Sequence, residues 1–340
     1  MAELISRVAS RRSRAAHRLE VSHLGRSAPP VTIGLVNNMA GAAFNAARKQ
    51  FCSLISEAAG DLPICIHVLS PVIHTNSDST GRRAFRHPDD MEELWAGAFD
   101  GMIVTGSEPR ARRLIDEPAW PFLTRLMDWC EDNVASAVWS CMATQAAVFH
   151  LDGIERLPFK TKLSGVFECQ RLTNDAILDG FPRRWNAPHS RYNDLPEAVL
   201  DLHGYRILTQ SRVAGADIFM KQARSRHFFM QGHLEYDGGV LSREYRRDVS
   251  RFLAGESERY PEMPFDYFPE DLSTVLTTFR QQALGARAQC TIADFPPRAE
   301  TAVWPTPWRP VAVQFYRNWL VYLQRAKTVE SDATREQLRG

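Results

Sequence analysis

The stretch Ser136-Ala137-Val138-Trp139-Ser140-Cys141-Met142-Ala143-Thr144-Gln145-Ala146-Ala147-Val148-Phe149 changes its period at its centre. Residues 136–140 are small or apolar, include a β-branched valine and are too few for a helix, so they read as a buried strand. From Met142 to His150 the chain is rich in alanine and keeps apolar residues on one helical face, so it reads as a helix. Cys141 falls at the hinge. A strand that turns sharply into a helix lifts one side chain clear of the sheet, beside backbone N–H groups at a helix N-terminus. Such groups favour a thiolate and can hold a developing oxyanion. A lone cysteine in an apolar run is more often inert and buried, so the reading depends on what accompanies it.

Upstream, Val31–Val36 is a β-branched strand, Ala42–Ala59 a helix stopped by Gly60 and Pro63, and Ile64–Leu69 a second strand. Strand, helix and strand at this spacing mark a βαβ unit and a parallel sheet. Residues 71–88 read as a polar surface loop, and Asp89–Leu94 as the start of a short helix with acids in its first turn. Phe99–Gly106 is a short strand entering a glycine turn, and Trp120–Asn133 an amphipathic helix. Cys141 therefore stands at the C-terminal end of a strand, where open α/β sheets place their sites. The fold class that follows is α/β, a three-layer sandwich around a mostly parallel sheet.

Past Gly153 the pattern changes to short strands and turns. Leu163–Glu168 and Tyr205–Thr209 read as strands with a proline-containing loop between them, and Asp217–Met220 with Arg226–Met230 as a hairpin. Gly238 and Gly239 open a helix through Leu253, residues 261–310 read as irregular packing, and Val311–Gln324 is a final helix. The boundaries expected are a basic extension over 1–30, a globular domain over 31–325 and a loose polar tail over 326–340. The extension lacks the apolar core of a secretory signal; its composition permits an organelle transit peptide, but a solvated tail or a helix lying on a partner subunit fits better.

Lys+Arg 41 against Asp+Glu 40 leaves no field pointing to nucleic acid or an acidic membrane. No apolar run approaches the roughly 20 residues of a membrane-spanning helix. The six cysteines are scattered without CxxC pairing or zinc-type spacing, so a reducing cytoplasm is the simplest setting.

His233 follows an apolar strand and a glycine, and Glu235 lies two residues on. Alternate residues of an extended segment point the same way, so both reach one site. A carboxylate beside an imidazole fixes its tautomer and supports its charged form, as a base acting on a thiol or hydroxyl requires. Cys141, His233 and Glu235 together supply a nucleophile, a base and an orienting group.

Six motifs then stand in order along the chain: Gly101–Gly106, the Cys141 hinge, Lys162–Glu168, Ala187–Tyr192, Gly232–Asp237 and Phe265–Pro269, with Asn318-Trp319-Leu320 closing it. From about Val31 to Gln324 the sequence resembles the homoserine O-succinyltransferase family. The resemblance implies a class I glutamine amidotransferase-like (flavodoxin-like) fold and transfer of an acyl group from succinyl-CoA or acetyl-CoA to L-homoserine in methionine biosynthesis. It implies Cys141 as the acyl-thioester nucleophile, His233 as general base and Glu235 as its partner. It also implies Lys162, Ser190, Glu244 and Arg247 around the amino acid, acyl-CoA as co-substrate with no bound cofactor or metal, and a homodimer. The chemistry agrees: Arg247 can clamp an α-carboxylate, Glu244 can pair with an α-ammonium, and three residues apart they share a helix face.

The chain departs from the family's pattern at Asn37-Asn38-Met39-Ala40, where Asn-Leu-Met-Pro is usual, and at Met142, where tryptophan is common. The N–H of Met142 and one from the Asn37–Met39 loop, Asn38 among them, are the expected oxyanion donors. Arg110 falls where the family sorts acyl donors and is expected to pair with a succinyl carboxylate; a shifted, solvated Arg110 is the alternative. Two further functions remain in view, acylation of another hydroxy amino acid such as serine and a glutamine amidotransferase using the same Cys-His-Glu set.

Overall fold

Val31, Ile33 and Leu35 are fully buried on one of the central strands, and apolar residues fill both faces around them, as a strand covered on each side by helices requires. The computed structural model describes residues 18–21, 29–71 and 92–337. In chain order the strands are β1 (Arg18–Val21), β2 (Val31–Val36), β3 (Ile64–Leu69), β4 (Gly101–Val104), β5 (Ser136–Ser140), β6 (Leu157–Arg171), β7 (Arg184–Asp194), β8 (Arg206–Ile207), β9 (Thr209–Ser211), β10 (Gly215–Ala216), β11 (Ile218–Gln222) and β12 (Arg226–Met230). The helices are α1 (Gly41–Ala59), α2 (Glu92–Ala96), α3 (Trp120–Asn133), α4 (Met142–Asp152), α5 (Glu197–Leu202), α6 (Val240–Leu253), α7 (Glu270–Gly285), α8 (Pro297–Thr301) and α9 (Arg309–Gln337). None of the described helices is long and apolar enough to cross a membrane.

The chain folds as two units. The first comprises the described parts of Met1–Leu151, Met220–Phe229 and Phe315–Gly340; the second comprises Asp152–Phe219 and Met230–Gln314. In the first unit the neighbours run β1-β3-β2-β4-β5-β12-β11. β2 pairs in parallel with both β3 and β4, and β4 with β5, as the βαβ spacing predicts. The register aligns Val36 with Val104 and Val104 with Trp139, so Asn37, Thr105 and the Ser140–Cys141 step emerge at one edge of the sheet.

Helix α9 seals a face of that sheet. A Cβ on Gly101 would lie 2.5 Å from Leu323 Cδ1 and 2.7 Å from Trp319 Cζ2, so only glycine lets the helix seat against β4. Trp319 is fully buried and its indole N–H donates to Ser136 Oγ at 2.9 Å, which explains a polar residue at the start of a buried strand. Truncating Trp319 to alanine removes this packing at a cost of about 3–5 kcal/mol.

The second unit holds a sheet in the order β10-β9-β6-β7, with β6 antiparallel to both β7 and β9. The same unit holds an apolar cluster of Tyr245, Val249, Phe252, Leu276, Phe279 and Phe295.

Four expectations change. The basic extension supplies strand β1, antiparallel to β3 with Leu19 opposite Ile66 and Val21 opposite Ile64; the rest of residues 1–28 lies outside the described residues. The proline-containing loop after β6 is strand β7, and Pro188 is accommodated because β7 is the last strand of its sheet. Residues 270–285, expected to be irregular, form α7, with Glu270 and Asp271 in its first turn and Leu272, Leu276, Phe279 and Ala283 buried along one side. The tail from 326 continues α9 to Gln337: no glycine or proline interrupts it, and Lys327 is anchored by Asp100 at 2.7 Å and the Pro30 carbonyl at 2.8 Å.

Candidate active site

Strand β5 ends at Ser140 and helix α4 begins at Met142, so one residue must reverse the chain, and that residue is Cys141 with φ 53°. A non-glycine residue in the left-handed region costs about 1 kcal/mol or more and persists only where its surroundings impose it. Three contacts do so. Gln145 N–H donates to the Cys141 carbonyl at 3.2 Å, Thr144 Oγ1 donates to the Trp139 carbonyl at 2.8 Å, and buried Trp139 donates from Nε1 to His227 Nδ1 at 3.1 Å. Cys141 is partly exposed, whereas Cys52, Cys65, Cys130 and Cys169 are buried, and none of the six cysteines forms a disulfide.

The Met142 N–H opens α4, where helix geometry provides no intrahelical acceptor. Gly106, on the turn after β4, faces it: a Cβ there would lie 2.8 Å from Met142 N, 2.9 Å from the Ser140 carbonyl and 3.2 Å from Cys141 Cβ. Gly106 thus keeps the amide beside the thiol uncovered, a contribution that the sequence alone did not single out.

The Asn37–Met39 loop departs from expectation. Asn37 N–H donates to the Leu69 carbonyl at 2.8 Å, Asn38 N–H to Thr105 Oγ1 at 2.9 Å, and Met39 N–H to Asn37 Oδ1 at 3.1 Å. Each amide is spent inside the fold, so this conformation offers no second oxyanion donor from the loop. Asn38 instead ties β2 to β4, its Nδ2 donating to the Thr105 carbonyl at 2.6 Å. Arg110 is exposed, and its loop is held from below by buried Glu117, whose carboxylate accepts from the Arg110 N–H at 3.0 Å and the Ala111 N–H at 3.2 Å.

In the second unit, His233 and Glu235 form the expected pair, Nδ1 to Oε1 at 2.7 Å, with side chains 4% and 6% exposed. They meet across a turn rather than along an extended segment, with Tyr236 N–H donating to the His233 carbonyl at 3.2 Å. The imidazole stacks on the Tyr236 ring at 4.2 Å, and the His233 N–H donates to the Pro188 carbonyl at 2.8 Å. With Nδ1 engaged by a carboxylate, Nε2 is the nitrogen placed for proton transfer.

Beside the pair, β6, β7 and α6 converge on an ionic cluster. Lys162 Nζ reaches Glu244 Oε2 at 3.0 Å and Asp248 Oδ2 at 2.9 Å. Ser190 Oγ donates to Glu244 Oε2, and the Tyr236 hydroxyl donates to its Oε1 at 2.9 Å. Arg247 donates from Nε and Nη2 to Asp248 Oδ1 at 3.0 and 2.8 Å, its side chain 40% exposed. Burial alone would raise the Glu244 carboxyl, but Lys162, Arg247 and the Ser190 hydroxyl bring it down to about 2. Burial would lower the Lys162 ammonium, but Glu244 and Asp248 outweigh it and hold the pKa above its ordinary value. Lys162 and Asp248 also line a cavity of about 720 Å³ with Phe159, Tyr192, Arg251 and Tyr260. Of the residues expected around the amino acid, all four (Lys162, Ser190, Glu244 and Arg247) stand in or at this cluster, and Asp248 joins them unforeseen. Arg191, next to Ser190 on β7, stays out of the cluster: it is buried, bonded to Asp194 at 2.7 Å and to the Asn193 and Ala214 carbonyls.

Residues 23–329 match the model of the homoserine O-succinyltransferase family. A homoserine O-succinyltransferase from Rhodopseudomonas palustris is 43% identical over 293 residues, covering 86% of this chain and 88% of its own. One from Methylorubrum extorquens is 39% identical, covering 85% and 86%. Among solved structures, a glutamine amidotransferase from Methylobacillus flagellatus superposes with a TM-score of 0.50 at 12% identity, covering 86% of this chain and 96% of its own, a likeness of fold.

Proposed function

Because the chain belongs to the homoserine O-succinyltransferase family, we propose that it transfers a succinyl group from succinyl-CoA to the side-chain hydroxyl of L-homoserine through a thioester on Cys141. The observation that carries the nucleophile is the left-handed Cys141 at the β5–α4 turn, beside the amide that Gly106 leaves uncovered. Glycine would hold this angle without strain, so a cysteine here is accounted for by what its side chain does rather than by packing.

The reaction runs in two halves. The Cys141 thiolate attacks the thioester carbonyl, and the tetrahedral oxyanion draws on the Met142 N–H. The carbon–sulfur bond to CoA breaks and CoA leaves as its thiol, taking the proton that His233 held. In the second half, His233 Nε2 removes the homoserine hydroxyl proton as that oxygen attacks the acyl-enzyme. The Cys141 sulfur departs, the ester is formed, and Glu235 stabilises the imidazolium in both halves.

The amino-acid end follows from charge. Lys162 and Arg247 balance Glu244 and Asp248, so a zwitterion enters the cluster without adding net charge. Its α-carboxylate takes Arg247, whose planar fork suits a carboxylate, and its α-ammonium takes the Glu244–Asp248 side. The test is release of CoA from succinyl-CoA with L-homoserine, L-serine or glutamine present, by wild type and Cys141→Ala. Release that requires both Cys141 and homoserine is expected. Ammonia from glutamine without CoA release would move the chain to the amidotransferases.

A further inference from the structure

In the second unit a different set of chemistry-bearing side chains lies under the turn that carries His233. Cys169 on β6, His189 on β7 and Asp217 between β10 and β11 bring one sulfur, one nitrogen and one oxygen within 4.8 Å of one another. They are 0%, 0% and 1% exposed, so no acyl donor reaches Cys169 and the transfer reaction does not use them.

Their hydrogen bonding is incomplete. Neither ring nitrogen of His189 nor Asp217 Oδ1 has a hydrogen bond of good geometry, although the imidazole and the Cys169 thiol both lie close enough to Asp217 to interact with it. His189 Nε2 and Asp217 Oδ1 stand 3.4 Å apart, long for a hydrogen bond. Two donors each about 2.0–2.1 Å from one tetrahedrally coordinated ion are about 3.3–3.4 Å apart. The aspartate is held for this role: its Oδ2 accepts from Thr209 Oγ1 at 2.9 Å, and that hydroxyl accepts from the Ile218 N–H at 2.9 Å. Orientation of a ligating carboxylate by such an outer hydrogen bond is typical of metal sites. Gly232 keeps the space open, since a Cβ there would lie 2.5 Å from Asp217 Oδ1 and 3.0 Å from His189 Nε2.

Charge points the same way. The only ion-pair partner of Asp217 among the described residues is His189. A buried carboxylate is expensive unless its charge is balanced, and a bound divalent ion would balance it.

We infer that Cys169, His189 and Asp217 bind one divalent transition-metal ion of the zinc class. On binding, the thiol proton passes to solvent, a sulfur–metal bond takes its place, and imidazole and carboxylate each donate a lone pair without redox change. Sulfur, imidazole and carboxylate suit zinc, and three protein donors leave a four-coordinate ion one position for water. The ion ties β6, β7 and the Asp217 segment together below Gly232, next in sequence to His233, and so braces the turn that carries the base.

The experiment uses the full chain with Cys141→Ala and Cys290→Ala, which removes both partly exposed thiols as competing ligands. The protein is stripped with chelator, exposed to Zn²⁺ or Co²⁺ alone, dialysed and assayed for metal. Uptake of about one ion per chain is expected, with a thiolate-to-cobalt charge-transfer band and a raised melting temperature. Adding Cys169→Ala is expected to reduce uptake below about a tenth of an ion per chain, and Thr209→Val to weaken affinity by about tenfold or more. No uptake by this parent chain, or undiminished uptake after Cys169→Ala, overturns the inference. Should Cys169→Ala fail to fold, the parent's cobalt spectrum decides: a bound ion without a thiolate band overturns it equally.

Discussion

Replacing Gly106 by alanine tests the proposed oxyanion donor with a single methyl group. The added Cβ would lie 2.8 Å from Met142 N and 2.9 Å from the Ser140 carbonyl oxygen, both backbone atoms of the turn that holds Cys141. Non-bonded carbon prefers heavy-atom neighbours at about 3.5 Å or more, so the turn must yield by roughly half an ångström or the methyl covers the amide. Either outcome spoils the donor at the carbon under attack. Loss of one such donor lowers kcat by about 10²–10³, or about 2.7–4 kcal/mol of transition-state stabilisation. The overpacking itself is expected to cost about 1–3 kcal/mol of stability, which thermal melting measures separately. The assay is rapid-quench measurement of the first CoA released, which isolates acylation of Cys141, alongside steady-state kinetics with homoserine. A folded Gly106→Ala enzyme that acylates within about threefold of the wild-type rate would refute the assignment of the Met142 amide.

Glu244→Gln removes a carboxylate held from its ordinary 4.5 down to about 2, a shift of roughly 3 kcal/mol. Because the folded value is depressed, that stability is complete above the ordinary value and is lost as pH falls toward 2, so the wild-type advantage over Glu244→Gln in denaturant melts should shrink from pH 6 to pH 3. A constant difference would count against the ion pair as its source. Asp248→Asn should raise the KM for homoserine about tenfold or more by releasing Arg247 and Lys162, while leaving acylation by succinyl-CoA within about twofold; an equal fall in both half-reactions would contradict that role. Arg110→Ala should cut the succinyl-CoA to acetyl-CoA preference by about tenfold, the effect of one exposed charge-assisted contact, and an unchanged ratio would return Arg110 to the solvent.

Legibility followed the range of the interactions. The strand–Cys141–helix step was readable because its cause is local, a five-residue buried strand against an alanine-rich helix. The His233–Glu235 pair was readable from spacing, although the backbone there is a turn rather than the extended segment expected. Asp248 was not, because α6 also carries Arg243, Glu244, Arg246, Arg247 and Arg251, and only the partner strand bearing Lys162 shows which carboxylates turn inward. The loss of the Asn38 amide as a donor was equally hidden, since its partner Thr105 lies 67 residues away. Helix α7 was obscured by Ser273, Thr274, Val275, Thr277 and Thr278, weak helix formers whose segment is held by packing of Leu276 and Phe279.

The backbone at Cys141 also bears on how such a chain can change over time. Every chain that keeps a cysteine there carries a standing handicap of about 1 kcal/mol relative to one with glycine, which adopts the same angles freely. Drift that ignores chemistry would run downhill toward glycine and a firmer, inert protein. The thiol is therefore a position at which activity and thermal robustness oppose each other within one residue. A laboratory selection for heat resistance alone, released from any demand for turnover, should find Cys141→Gly among its readiest gains.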